Sequence, residues 1–195
     1  MLYVIAVLLL TACTLSPKTQ VPIQTSGVDC KTAWSRENAD ESKDLAFSIN
    51  LEKSQFKIDE PIFSTLILKN TEAAPLWVNK RMIVNRSSLE DAGEVYFVIN
   101  SPWGEMADFI AKVDATAPVA KDFVLLEPQQ TIDVRSEGIM LYSYLSTWGP
   151  ERKNIDLRGK YCVWAVYHNQ TDPGLSGLVW KGKIKSNFVE FEITQ

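Results

Sequence analysis

Histidine is almost missing from this chain: His168 is the only one among 195 residues. A zinc site draws three or four His, Cys or carboxylate ligands together, and one His with a few distant cysteines does not supply them. A lone histidine near the end of a strand reads as a rim residue rather than a general base. Nothing matches Gly-x-Ser-x-Gly, and no Ser-x-x-Lys lies in a helical setting, so a nucleophilic hydrolase has no visible parts. No glycine-rich phosphate loop is present. The acidic stretches Glu37–Glu41 and Glu90-Asp91 lack the dense alternating oxygen ligands of a calcium loop. We therefore expect no enzyme, with no catalytic residue and no metal ligand. Concentrated positive charge is also lacking: the formal net charge is −4 and the basic residues are scattered. Nucleic acid is excluded as a partner, because binding it needs a focused cationic face. Finally, no apolar run approaches the ~20 residues that span a bilayer as a helix, and no long stretch has a helical period.

What is present begins at the amino terminus. Leu2 to Leu10 is almost wholly apolar and fits the central region of a signal peptide, although no Lys or Arg precedes it. It ends in Leu10-Thr11-Ala12-Cys13. These four residues resemble the lipobox of bacterial lipoproteins: an aliphatic residue, a small polar one, a small one, then the cysteine that receives lipid. The resemblance implies that residues 1–12 are a signal peptide removed on export and that Cys13 becomes a lipidated amino terminus. The only prosthetic group expected is that covalent lipid, palmitate included. Acyl chains would hold the protein on a membrane, each buried CH₂ contributing about 0.8 kcal/mol. Thr14, where an Asp would favour inner-membrane retention, points to an outer membrane and a periplasm-facing domain in a two-membrane host.

Residues 13–44 read as a mostly irregular tether, with Pro17, Pro22, Gly27 and many Ser, Thr and Gln. One helical turn around Trp34 is expected within Lys31 to Lys43. With Cys13 lipidated, Cys30 and Cys162 are left. In an oxidising compartment an even pair suggests a disulfide, worth about 5 kcal/mol on chain-entropy grounds for so long a loop. The alternative is two unpaired thiols, one of them buried.

From residue 45 to residue 195 the pattern is that of one all-β domain. Leu45–Leu51 alternates apolar and polar residues, as does Val163, Ala165, Tyr167 against its neighbours. Further strands are expected at Ile62–Asn70, Leu76–Val78, Glu94–Asn100, Asp122–Leu126, Gln130–Arg135, Gly138–Leu145, Lys160–His168 and Asn187–Thr194. The turns between them carry Pro, Gly, Asn and Asp, as in Ser101-Pro102-Trp103-Gly104 and Trp148-Gly149-Pro150. Many short punctuated strands make an antiparallel sandwich. Asp156-Leu157-Arg158-Gly159-Lys160-Tyr161 resembles the tyrosine corner of immunoglobulin-like domains. That resemblance implies an immunoglobulin-like β-sandwich with Tyr161, Val163 and Ala165 facing inward and Cys162 outward. Cys162 meets Cys30 only if the tether runs back over that outer face. The last strand then turns Val189, Phe191 and Ile193 inward. The segment Asp59–Val78 also resembles, faintly, the bacterial intracellular proteinase inhibitor-like family. No inhibitory loop is recognisable in it.

Aromatic residues supply the candidate binding surface. The chain has six Trp. Trp103 and Trp148 lie in turns, and Tyr142 with Tyr144 alternates on one face of a strand. An exposed Trp offers large contact area with few torsions to freeze. These four residues form a candidate patch for an envelope protein or a glycan, unless the turn tryptophans cap the sandwich core instead. The expectation is a lipid-anchored binding or structural module of the cell envelope. An envelope protease inhibitor acting through end loops is the alternative.

Overall fold

In the computed structural model the described residues are 29–37, 39, 42–84, 94–106, 116–136, 138–139 and 156–194. Over these the chain forms one short helix, α1 (Cys30–Ser35), and twelve strands. In chain order the strands are β1 (Leu45–Leu51), β2 (Gln55–Lys57), β3 (Ser64–Asn70), β4 (Leu76–Asn79), β5 (Val95–Ser101) and β6 (Gly104–Met106). They continue with β7 (Phe123–Leu126), β8 (Thr131–Arg135), β9 (Gly159–Asn169), β10 (Leu178–Val179), β11 (Gly182–Lys185) and β12 (Val189–Thr194). The protein is an all-β sandwich.

The larger sheet runs β2-β12-β9-β5-β6, with β11 also on β9, and the facing sheet runs β1-β3-β8. Period-two alternation explains the layers. Leu45, Phe47 and Ile49 of β1 and Leu66 and Leu68 of β3 turn to one face. They meet Val95, Phe97 and Ile99 of β5, and Tyr161, Val163, Ala165 and Tyr167 of β9, in a single core. Phe191 and Ile193 are buried in the same core, and Val189 packs on its edge. The tyrosine corner is formed: the buried Tyr161 hydroxyl donates to the Leu157 carbonyl oxygen at 2.6 Å.

A smaller sheet, β10-β4-β7, continues the facing sheet across a corner. β3 and β4 lie along one side, and β7 and β8 along the other. Asn70 pins the corner. Its buried amide donates to Leu126 O at 2.8 Å and Ala74 O at 2.9 Å and accepts from Glu72 N at 2.9 Å.

Several expectations need correction. Among the described residues pairing is antiparallel except for two short parallel strand pairs, β2 with β12 and β4 with β10, and the isolated parallel bridge Val84–Val95. β2 is parallel because the chain leaves β1, changes sheet through residues 52–54 and arrives beside the final strand in the same direction. The final strand is in two pieces, β11 and β12, both on β9. Between them Ser186 bends the chain, its hydroxyl accepting from Ala165 N at 2.9 Å. β6 went unrecognised in the sequence, being three residues of a tight hairpin. Of the strand expected at Gly138–Leu145, Ile139 bridges Ile62 and the residues from 140 on lie outside the described set.

The tether also needs revision. Residues 29–37 form a strap packed on the sandwich, not an irregular spacer. Thr32 N donates to Asp29 Oδ1 at 3.0 Å and caps α1; the Thr32 hydroxyl and this N–H together lower the Asp29 ionisation below its ordinary value. Six residues do not hold a helix in water, so packing does. Residues 13–28, and Cys13 and the signal peptide with them, lie outside the described residues.

Candidate functional site

Two surfaces deserve description from their residues upward: the tryptophan end of the sandwich and the outer face of the large sheet. At the first, β5 and β6 join through Pro102 and Trp103 in a hairpin. Gly104 has a φ of +113°, a conformation that a side chain resists. The Ser101 hydroxyl donates to Gly104 O at 2.5 Å and accepts from Trp103 N at 3.3 Å. This geometry swings the Trp103 ring over the end of β9. There it meets Tyr161 edge-on, with centroids 6.1 Å apart and planes at 73°. Tyr161 in turn stacks on Phe191 at 5.3 Å. Trp103 is 36% exposed and, with Val119 and Leu178, is a large apolar side chain open to solvent among the described residues. The ring thus packs on the end of the core through Tyr161 and leaves about a third of its surface in solvent. Trp148, Tyr142 and Tyr144 lie outside the described residues.

The outer face of the large sheet carries Val98 from β5 and Cys162, Trp164 and Val166 from β9. All are buried, because the strap covers them. Cys30, the first residue of α1, enters this cluster, with Ala33, Trp34, Ala39, Tyr96 and Phe188 around its margin. Polar contacts ring the apolar patch. Trp34 Nε1 donates to Ser186 O at 2.6 Å. The Lys185 ammonium donates to Trp34 O and Glu37 O, both at 3.1 Å, and stands 4.3 Å over the Trp34 ring. A cation at the carboxyl end of a helix satisfies its last carbonyls and opposes its dipole. The Tyr96 hydroxyl donates to Glu37 Oε1 at 3.0 Å, and Lys183 lies 3.6 Å from the same oxygen.

Cys30 and Cys162 therefore come together in one buried cluster. Both are free, buried thiols in this structure, so the disulfide expected between them is absent from it. Burial pushes the ionisation of each thiol upward, which leaves them protonated and unreactive as they stand. The indole N–H of Trp164 beside them is buried and has no hydrogen-bond partner among the described residues.

His168 lies in β9 opposite Lys183, and its backbone N–H donates to Glu94 O at 2.8 Å. Glu94 itself is a buried carboxylate missed by the sequence reading. It accepts from Arg81 Nε at 2.8 Å, Ile83 N at 2.8 Å and Asn79 Nδ2 at 3.2 Å, and pairs with the Arg81 fork. Asn79 N and O meet the buried Tyr167 hydroxyl at 3.1 and 2.9 Å. Every oxygen of this network is satisfied, the mark of a structural clamp between β4 and β5. Among the described residues no three His, Cys, Asp or Glu side chains converge as metal ligands would.

The sequence left the course of the tether over the outer face conditional, and the structure shows residues 29–37 lying there. A signal for it existed: β9 reads Tyr-Cys-Val-Trp-Ala-Val-Tyr, apolar at every position and not merely at alternate ones. A strand apolar on both faces must be covered on both. No protein-family model matches this chain, and no curated protein matches it.

Proposed function

We propose that this chain is a lipid-anchored protein of the bacterial cell envelope whose β-sandwich serves as a binding or structural module for another envelope component. The observation that carries the reading is the order Leu10-Thr11-Ala12-Cys13 at the end of an apolar run too short to span a bilayer. On this reading residues 1–12 are removed as a signal peptide, and acyl chains on Cys13, palmitate among them, hold the domain at the membrane. Sixteen peptide steps separate Cys13 from Asp29, where the packed strap begins. At ~3.4 Å per residue they reach at most about 55 Å, enough to hold the sandwich beside the bilayer without touching it. In a two-membrane host Thr14 favours an outer membrane facing the periplasm.

The half-open ring of Trp103 on a rigid hairpin is the side chain best suited to anchor a partner protein or glycan. Growth on labelled palmitate tests the anchor: the chain should carry label, and a Cys13→Ala chain should not. Label-free, uncut chain in the soluble fraction would refute it. Crosslinking in intact envelope tests the module. It should capture a protein or glycan, and capture should fall with Trp103→Ala. Recovery of lipid alone under several growth conditions would end the binding reading while leaving the anchor standing.

A further inference from the structure

The outer face of the large sheet is a hydrophobic surface that the chain covers with its own amino-terminal strap. We propose that Cys30 and Cys162 form a disulfide that fastens this strap, making it a redox-controlled cover over Val98, Trp164 and Val166. The two cysteines belong to elements far apart in sequence, yet their side chains meet in one buried cluster. Cys30 is the first residue of α1, so a bond there ties the amino-terminal turn of the helix to β9.

Without the bond, the strap is held by one cluster of apolar contacts, by the Trp34 Nε1 hydrogen bond to Ser186 O and by rim contacts from Lys185, Lys183 and Tyr96. A six-residue helix has no stability of its own, so lifting it is a local unfolding that leaves the sandwich intact. Docking also buries the Trp164 indole N–H with no hydrogen-bond partner among the described residues, which opposes closure. The bond offsets this by forbidding the open state.

A partner disulfide, of the thiol–disulfide oxidoreductase class, is attacked by one thiolate to give a mixed disulfide. The second cysteine displaces the partner's sulfur and forms the S–S bond. Two thiols have then lost two protons and two electrons, and the partner leaves as a dithiol. Attack needs a thiolate, and the docked thiols are buried and protonated. Exchange therefore proceeds from the lifted strap, and docking brings the second sulfur to the first. The oxidising setting rests on the envelope reading; the capacity to form the bond does not. Palmitate labelling tests the former and leaves the latter untouched.

The test uses the full-length chain with oxidised glutathione as the oxidant. After denaturing alkylation, Cys30 and Cys162 should carry no label, and digestion should release their two peptides joined. Hydrogen exchange over Lys31–Glu37 should then be slow, limited by global unfolding. On adding dithiothreitol it should accelerate by about tenfold or more, as local opening takes over. In Cys30→Ala, reductant should leave that exchange rate unchanged. Alkylation of both sulfurs after oxidation, or equal exchange in the oxidised and reduced wild-type chain, overturns the proposal. The wild-type comparison stands without the variant.

Discussion

Replacing Tyr161 by Phe removes one hydroxyl and nothing else, at a residue 1% exposed. The ring keeps its stack on Phe191 and its edge contact with Trp103. What disappears is a 2.6 Å hydrogen bond to the Leu157 carbonyl oxygen, which is left in a buried setting. The lost bond is worth about 1 kcal/mol, and the stranded carbonyl brings the total to about 2–3 kcal/mol. In urea, followed by tryptophan fluorescence, an m of about 2 kcal/mol/M translates this into a midpoint lower by about 1–1.5 M with m unchanged. The variant has a second signature. Burial, reinforced by the Asp156 charge, pushes the Tyr161 ionisation well above its ordinary value of 10.0. Burial does the same to Tyr167. Above pH 10 the unfolded chain loses phenolic protons that the folded chain keeps, so stability falls as pH rises, by up to about 1.4 kcal/mol per pH unit for each tyrosine. Tyr161→Phe removes one of these two contributions, so its alkaline slope should be shallower by one proton. The buried thiols, ordinarily titrating near 9.0, add the same slope to both proteins and cancel in the comparison. A loss below about 0.5 kcal/mol, or an unchanged alkaline slope, would refute the reading of Tyr161 as a buried, corner-forming phenol.

Asn70→Ala removes three side-chain hydrogen bonds and strands the Leu126 carbonyl, for a loss of about 3 kcal/mol. Calorimetry should show this as a Tm lower by about 6–12 °C, and a drop under about 3 °C contradicts the corner role. Arg158 grips the Asp156 carboxylate through its guanidinium and backbone N–H and holds its ionisation at about 2. That depressed value contributes stability above the ordinary 3.8, lost as pH falls through about 2. Carboxyl NMR titration of Arg158→Ala should find the Asp156 midpoint raised part-way to 3.8, and an unmoved midpoint refutes the pairing. Gly138→Ala would place a Cβ 2.8 Å from Pro61 Cβ and 3.1 Å from Phe63 Cε1. Pushing these apart disturbs the Ile62–Ile139 bridge and should cost about 1–3 kcal/mol, measured by urea unfolding.

The strands that could be read from sequence are those whose alternation is local. β1, β9 and β12 declare their inward residues at every second position, and the tyrosine corner is spelled within six residues, Asp156 to Tyr161. Trp103 was recognisable because Ser-Pro-Trp-Gly is a turn whatever surrounds it. The Arg81–Glu94 clamp was not, since neither residue stands out in a chain with many charges. The two meet only when the chain after β4 is folded back against the residue that precedes β5.

The amino-acid sequence by itself determined which residues turn inward on each regular strand, and that both faces of β9 avoid water, because side-chain alternation is a property of a few consecutive residues. Only the tertiary structure decided what covers the second face. The strap folds over it, Cys30 reaches Cys162 and β2 crosses to join β12. Those pairings join residues more than a hundred positions apart, and the surface that stabilises the strap does not exist until the sheet beneath it has formed.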